Sequence, residues 1–232
     1  MKKIRVVILF LLLLTTLCSC FGENELEKSF NKLSESNYTM TGSMRIDLSM
    51  SYAGQTQQQT LVADMLIEAS QNESYTVSTI NGQSQYSYVK LNEENVDVYT
   101  KSSGSWSHEV QSLEEYKEES DSFFLDIEVK DVFELKDGVW VGNTEMLTTM
   151  LEKYMDTISE DLVGASVTIN SFNVEKYDIV MEGNEISEIE VIMTLDMSSS
   201  GVSLSMKMTL PMEVSKIGET VVTVPEGINN TK

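Results

Sequence analysis

Few residues of this chain have side chains suited to catalysis or to metal binding. Its 232 residues include two cysteines, Cys18 and Cys20, and a single histidine, His108. One histidine is too few for the clusters that bind zinc. With one histidine and two cysteines, the usual Ser–His–Asp and Cys–His catalytic arrangements are not expected. We interpret His108 as a surface residue of a strand or turn. The sequence therefore predicts no enzymatic activity, no metal site and no cofactor.

The overall charge is strongly acidic. The chain has 37 acidic and 16 basic residues and a formal charge of −21 at pH 7. Such a field repels nucleic acid and anionic lipid head groups, so we expect neither as a partner. An acidic surface that keeps an exported protein soluble explains the charge, and cation binding is the alternative. The sequence has no D-x-[DN]-x-[DN]-G calcium loop that would support the alternative.

Methionine is unusually frequent, with 14 residues. Most lie at positions that alternate with polar residues or recur at helical spacing, which places them on apolar faces. Methionine is flexible and polarizable, and it is common on surfaces that accept varied apolar partners. A core in which methionine replaces leucine is the alternative. The candidate ligand contacts are Met40, Met44, Met65, Met150, Met193, Met206 and Met208.

The N-terminus has the composition of an export signal. Three basic residues, Lys2, Lys3 and Arg5, precede an apolar run that ends at Leu14. The run is about ten residues long, whereas a membrane-spanning helix needs roughly 20. Residues 1–19 are therefore predicted to be a signal peptide and not part of the fold.

The end of this signal resembles the lipobox of bacterial lipoproteins. In Leu17-Cys18-Ser19-Cys20, Leu stands three places before Cys20 and Ser directly before it. The resemblance implies cleavage before Cys20, acylation of its thiol, and attachment to the extracytoplasmic face of the cell membrane. An ordinary secretory signal with incidental cysteines is the alternative. A mature chain with one cysteine cannot form an internal disulfide, which favours the role of lipid acceptor.

After a lipidated tether, residues 20–24, the apolar pattern predicts one domain over residues 25–228. Leu26, Phe30 and Leu33 recur at helical spacing and predict a short amphipathic helix. The period then changes to two, which predicts half-buried strands. Six strands are expected in the first half: Tyr38–Met50, Gln59–Ala69, Ser74–Ile80, Gln83–Leu91, Val96–Thr100 and Trp106–Val110.

Turn residues separate these strands. Asn81-Gly82 lies between two β-rich runs and is a strong hairpin signal. The glutamines before Gln59, together with Gly54, are assigned to a hairpin loop, and Lys101–Gly104 to another.

The middle of the chain is predicted to be helical from Leu113 to about Leu162. Its clearest helix runs from Asn143, which can cap it, to Ser159, and Leu147, Met150, Leu151 and Tyr154 lie on its apolar face. Asp137-Gly138 marks a turn before a short extended piece. Strands are then expected at Phe172–Met181, Glu185–Met197, Val202–Leu210, Met212–Lys216 and Thr220–Val224, with Pro211 as a break or an edge.

This order predicts an α+β fold dominated by one antiparallel sheet of about 10–11 strands. The lipobox, the helix, the Tyr38-Thr39-Met40 strand opening and the Val222-Thr-Val-Pro225 ending resemble the small Firmicute-type lipoproteins of the LolA/LolB and LppX/LprG-like superfamily. The resemblance implies a curved half-barrel with helices over its concave face, around a hollow that holds acyl chains in several members. It implies no particular ligand contact.

Two functions from different classes follow. The first is a membrane-anchored monomer that binds or carries an apolar ligand, such as a lipid, in a Met-rich cavity closed by the helix that begins at Asn143. The second is a non-catalytic surface accessory, sensor or interaction domain whose core is filled. The wall of the cavity would consist of Met40, Met44, Ile46, Leu48, Met65, Ile67, Val191, Met193, Leu195, Leu204, Met206 and Met208.

Overall fold

The computed structural model describes residues 25–101, 104–114, 116, 129–152 and 168–228. The predicted signal peptide, the tether and Cys20 lie outside these residues. So do most of the helical turns expected after Leu113 and the part of the 143–159 helix that follows residue 152.

The chain begins with helix α1, Glu25–Glu35, which packs one apolar side onto the sheet. Leu26 and Phe30 are fully buried and Leu33 is 2% exposed, as their helical spacing predicts. Burying each of these side chains contributes roughly 1.5–3 kcal/mol. Ser29 Oγ donates a hydrogen bond to the carbonyl oxygen of Asn184 (2.7 Å), and Lys32 pairs with Glu185, so polar contacts fix the helix to a hairpin of the sheet.

The strands of the described residues form one antiparallel sheet, which confirms the predicted fold class. Its spatial order is β6-β5-β4-β3-β2-β1-β11-β10-β9-β8-β7. The strands are β1 Tyr38–Tyr52, β2 Gln55–Ala69, β3 Glu73–Ile80, β4 Gln83–Leu91, β5 Asn95–Lys101, β6 Ser107–Ser112, β7 Phe133–Lys136, β8 Val139–Gly142, β9 Thr168–Glu182, β10 Glu185–Ser199 and β11 Val202–Ser215.

Two meanders meet at the centre of this sheet. Strands β1 to β6 follow one another outward, β7 to β11 return inward, and β1 pairs with β11 along its length. The hairpin predicted at Asn81-Gly82 joins β3 to β4, and both residues have positive φ (51° and 76°), which Asn and Gly tolerate best. The turn at Asp137-Gly138 joins β7 to β8, and the short helix α2, Val129–Val132, precedes that pair.

The main hydrophobic core lies on one face of the sheet, here called the inner face. It joins α1 to alternate residues of the strands, among them Met40, Ala63, Ile189 and Leu210, all about 1% exposed. Residues that are paired directly across an antiparallel ladder point to the same face. The strand register therefore assigns every strand residue to the inner face or to the opposite, outer face.

A second helical segment, residues 144–152, also packs on the inner face. Asn143 caps it as predicted, because the Met146 N–H donates a hydrogen bond to Asn143 Oδ1 (3.1 Å). Leu147 is buried in the core, and Met150 and Leu151 pack against it. The backbone of Gly142 passes so close to Leu147 that an added Cβ would meet Leu147 Cδ1 at 2.7 Å.

Four expectations about the secondary structure are wrong. Phe133–Lys136 lies in the stretch predicted to be helical but forms strand β7. The glutamines before Gln59 belong to β2, which begins at Gln55. Pro211 neither ends a strand nor marks an edge, because β11 continues through it to Ser215 in the middle of the sheet. Residues 220–224 form no strand. Proline locally disturbs the ladder, since it lacks the N–H that a strand neighbour accepts.

Residues 216–228, here called the C-terminal segment, cross the outer face over the first meander. Thr220 Oγ1 lies 2.8 Å from Thr39 Oγ1, and the Thr223 N–H donates to Glu68 Oε2 (2.8 Å). Trp106 Nε1 then donates to the carbonyl oxygen of Glu226 (3.1 Å). Ile228 is buried, so the segment covers part of the sheet that α1 does not reach.

Candidate functional site

The seven candidate methionines divide into two groups. Met40, Met44, Met65 and Met193 are 1–6% exposed and belong to the core under the helices. Met150 and Met208 are partly buried against that core, and Met206 is half-buried beyond it. The predicted wall is therefore packed at one end and open at the other.

The open end is a contiguous apolar surface, here called the inner strip. It lies in the central strands, beyond the part of the inner face that forms the core. All its members are partly exposed, and Met50 is 43% exposed. The strip consists of Ile46, Leu48 and Met50 in β1, Leu204 and Met206 in β11, Leu195 and Met197 in β10, and Ile169 and Phe172 in β9.

Strand register arranges this strip in rows. One row runs Phe172, Leu195, Met206, Leu48, and the next runs Ile169, Met197, Leu204, Met50. Strands lie about 4.8 Å apart, so four neighbouring strands present an apolar row about 15 Å long between their outer backbones. Side chains paired in this way contact their neighbours. Each row is therefore suited to a long, thin apolar group.

Both rows end on β2 at a glutamine. Leu48 is paired with Gln59, and Met50 is paired with Gln57. Both glutamines are exposed, and each amide offers donors and an acceptor beside the apolar row. These two residues were missed as site residues, although Leu61, Gln59 and Gln57 share one parity and this alternation could have identified them.

A second depression lies on the outer face, where β1 meets β11. Its volume is about 600 Å³, and Thr41, Ser43, Lys176, Glu188 and Glu213 are among its lining residues. It coincides with a gap in the β1–β11 register opposite Pro211. Lys176 is engaged by Glu190 (2.5 Å) and by Asp178 (3.2 Å), and the hydrogen bond to Glu190 raises the pKa of the ammonium group. The depression is thus acidic and shows no residue that selects a ligand.

His108 lies on the outer face of the edge strand β6 and is exposed, as expected for a surface histidine. Its Nε2 lies 2.6 Å from Asp97 Oδ1, and its ring stacks on Tyr99 with centroids 4.3 Å apart. Asn92 Nδ2 donates to the other carboxylate oxygen of Asp97. These contacts attach β6 to β5.

Neither a cluster of metal ligands nor a membrane-spanning helix occurs in the described residues. Those residues contain no group of three or more His, Cys, Asp or Glu side chains placed to hold a metal ion. Nor does this part of the chain contain a helix with the length and apolar character needed to cross a membrane.

Comparisons with known proteins give little support for a family. No protein-family model matches the chain, and no curated protein matches it. Among solved structures, the chain is similar to a DUF1329 family protein from Desulfovibrio piger, with 8% identity, 86% of this chain and 92% of the other covered, and a TM-score of 0.27. A similarity at that level carries no argument about this chain, and the resemblance to the LolA/LolB and LppX/LprG-like superfamily is not confirmed.

Proposed function

We propose that this chain is an extracytoplasmic lipoprotein, anchored through acylated Cys20, that binds the apolar part of a lipid on the inner strip. The lipobox carries the anchoring half of the proposal, and the partly exposed rows carry the binding half. Apolar side chains that are contiguous over several strands and remain exposed in a monomer are typical of interaction sites. The methionines in the strip suit a ligand of variable shape.

A filled interaction domain is the second candidate. The burial of Met40, Met44, Met65 and Met193 under the helices favours it, because a packed core leaves no room for a ligand. The two candidate functions differ in whether the inner strip binds lipid. A lipid-binding protein uses it, whereas an interaction domain with a filled core does not bind lipid there.

The anchor is tested by the variant Cys20→Ala. We expect it to lose lipid labelling and membrane retention, whereas Cys18→Ala should keep both. The measurement is metabolic labelling with an alkyne fatty acid, followed by membrane fractionation. Normal labelling of Cys20→Ala would contradict the proposed anchor.

Lipid binding is tested on the full chain in lipid vesicles with a photoactivatable fatty-acyl probe and peptide mapping. We expect crosslinks in β1 and β11, and Met206→Glu should abolish them because it places a charge in the middle of a row. Ser203→Glu is the matched control, since Ser203 is exposed on the outer face of the same strand. Absence of crosslinks to the strip in the parent chain would exclude lipid binding there and favour the interaction domain.

A further inference from the structure

Charge is segregated between the two faces of the sheet. In the described strands β1–β5 and β7–β11, the register places no charged residue in an inner row; Glu109 of the edge strand β6 is a charged inner residue. The outer face of the same strands carries ion pairs, among them Arg45–Asp47 and Lys207–Glu175. A chain with a formal charge of −21 thus keeps the inner rows of these ten strands uncharged.

The polar positions that border the inner strip are also neutral. Gln57 and Gln59 end the two apolar rows, and Gln55 continues the same parity of β2 beside Tyr52. All three glutamines are exposed. The described part of the strip is therefore flanked on the β2 side by amides, not by lysine, arginine or carboxylate groups.

This arrangement discriminates between lipid head groups. A charged head beside these amides finds no opposite charge in the described part of the strip and therefore gains no ion pair there. The acidic chain also repels anionic heads over a longer range. A head with hydroxyl or ester groups loses little, because glutamine amides can both donate and accept hydrogen bonds.

We propose that the ligand of the inner strip is an uncharged amphiphile. Its apolar chain lies along the rows of β9, β10, β11 and β1, and its hydroxyl-bearing head lies against Gln57 and Gln59 on β2. This inference rests on the proposed lipid binding and adds the chemical class of the head group. Monoacylglycerol is the simplest molecule of that class.

The test compares photoactivatable lipids that share one diazirine acyl chain and differ in the head group. The heads are glycerol, carboxylate, phosphoglycerol and trimethylammonium, and each lipid is added to the full chain in phosphatidylcholine vesicles. Crosslinked peptides are quantified by mass spectrometry. We expect the glycerol head to label β1 and β11 about tenfold more than any charged head, which corresponds to about 1.4 kcal/mol.

A change of the proposed head-group contact should reverse this preference. In Gln59→Lys the row ends at a cation, so labelling by the carboxylate lipid should rise and labelling by the glycerol lipid should fall. Gln58→Lys is the matched control, since it adds the same charge one residue away on the outer face. The control should keep the preference of the parent chain.

The outcomes separate the two proposals. Equal labelling of the strip by all four lipids, or the same shift in Gln58→Lys as in Gln59→Lys, would overturn the neutral-head inference and leave lipid binding standing. Absence of labelling in the strip by any lipid would overturn both. A dimer in native mass spectrometry that Met206→Glu dissociates would assign the strip to a second copy of the chain and would also overturn both.

Discussion

The two parts of the sheet differ in which face carries their largest side chains. The long-strand half, β9–β11 with β1 and β2, packs its inner face under α1 and exposes charged residues on its outer face. The short-strand half, β3–β6, instead carries Tyr75, Tyr86, Tyr88 and Tyr99 in its outer rows, near the C-terminal segment. Its inner rows hold Thr76, Ser78, Gln85 and Ser87 together with the buried Val89 and Val96.

This difference shows that alternation alone does not identify the buried face of a strand. In both halves apolar and polar residues alternate with a period of two, so both predict half-buried strands. In the short-strand half both parities contribute buried side chains, Tyr88 on the outer face and Val89 and Val96 on the inner face. A helix near the start of the chain covers the inner face of the long-strand half, and an irregular segment at the end of the chain contacts the outer face of the first meander.

The largest expected effect concerns the cover of the long-strand half. Phe30→Ala removes a fully buried ring between α1 and the sheet and should lower the free energy of unfolding by about 3–5 kcal/mol. Urea unfolding of the full chain measures it. Asn31→Ala, at an exposed neighbouring position, should change stability by less than about 0.5 kcal/mol. Equal effects of the two substitutions would contradict the role of α1.

The next effect concerns the outer face of the short-strand half and depends on pH. Burial, and then a hydrogen bond to Glu73, raises the pKa of Tyr88 to about 12, whereas an unfolded tyrosine ionises near pH 10. The folded state favours the neutral phenol, so this stabilisation is present below pH 10 and is lost as the pH rises to about 12. It amounts to about 2–3 kcal/mol.

Tyr88→Phe should therefore lose less stability than the parent chain between pH 9 and pH 12. Urea midpoints across that range provide the measurement. Tyr52→Phe is the matched control, because it removes the hydroxyl group of a tyrosine that is 61% exposed. A parallel decline in the parent and in Tyr88→Phe would show that Tyr88 is not responsible.

A pair of matched substitutions sharpens the distinction between the packed and open ends of the inner face. Met193→Trp overfills the core and should cost about 1–3 kcal/mol, whereas Met206→Trp lies in the exposed strip and should cost less than about 1 kcal/mol. Differential scanning fluorimetry ranks the two variants. Equal destabilisation would mean that the strip is packed as tightly as the core.

The smallest effect concerns the attachment of the C-terminal segment. Thr39 and Thr220 are buried with their hydroxyl oxygens 2.8 Å apart. Each single Thr→Val change should cost about 1–2 kcal/mol, and the double variant should cost less than their sum by about 0.5–1.5 kcal/mol. Additive effects in this double-mutant cycle would show that the two hydroxyl groups do not interact.

The regular elements were predictable because their signals are local. The spacing of Leu26, Phe30 and Leu33 identified α1, Asn81-Gly82 identified a hairpin, and Asn143 identified a helix start. The path of β11 through Pro211 was not predictable, because a proline normally excludes a central strand. Here the ladder to β10 continues at Pro211 while the ladder to β1 is interrupted.

The candidate site was predictable only in part. The strand methionines lie in inner rows, as their parity indicated. Their burial depends on how far α1 and residues 144–152 extend over the sheet. A local sequence pattern does not predict that coverage. Gln57 was missed because a polar run beside Gly54 resembles a loop, and Gln59 was assigned to the strand but not to the site because it is polar.

The pairing of β1 with β11 also determines the order in which the sheet can be completed. β1 is synthesised early, and one edge of β1 remains unpaired until residues 202–215 follow. Contacts between such distant segments form slowly, and an unpaired apolar edge can associate with other chains in the meantime. The interval between the synthesis of β1 and its pairing with β11 is therefore the period in which this protein is most exposed to misassembly.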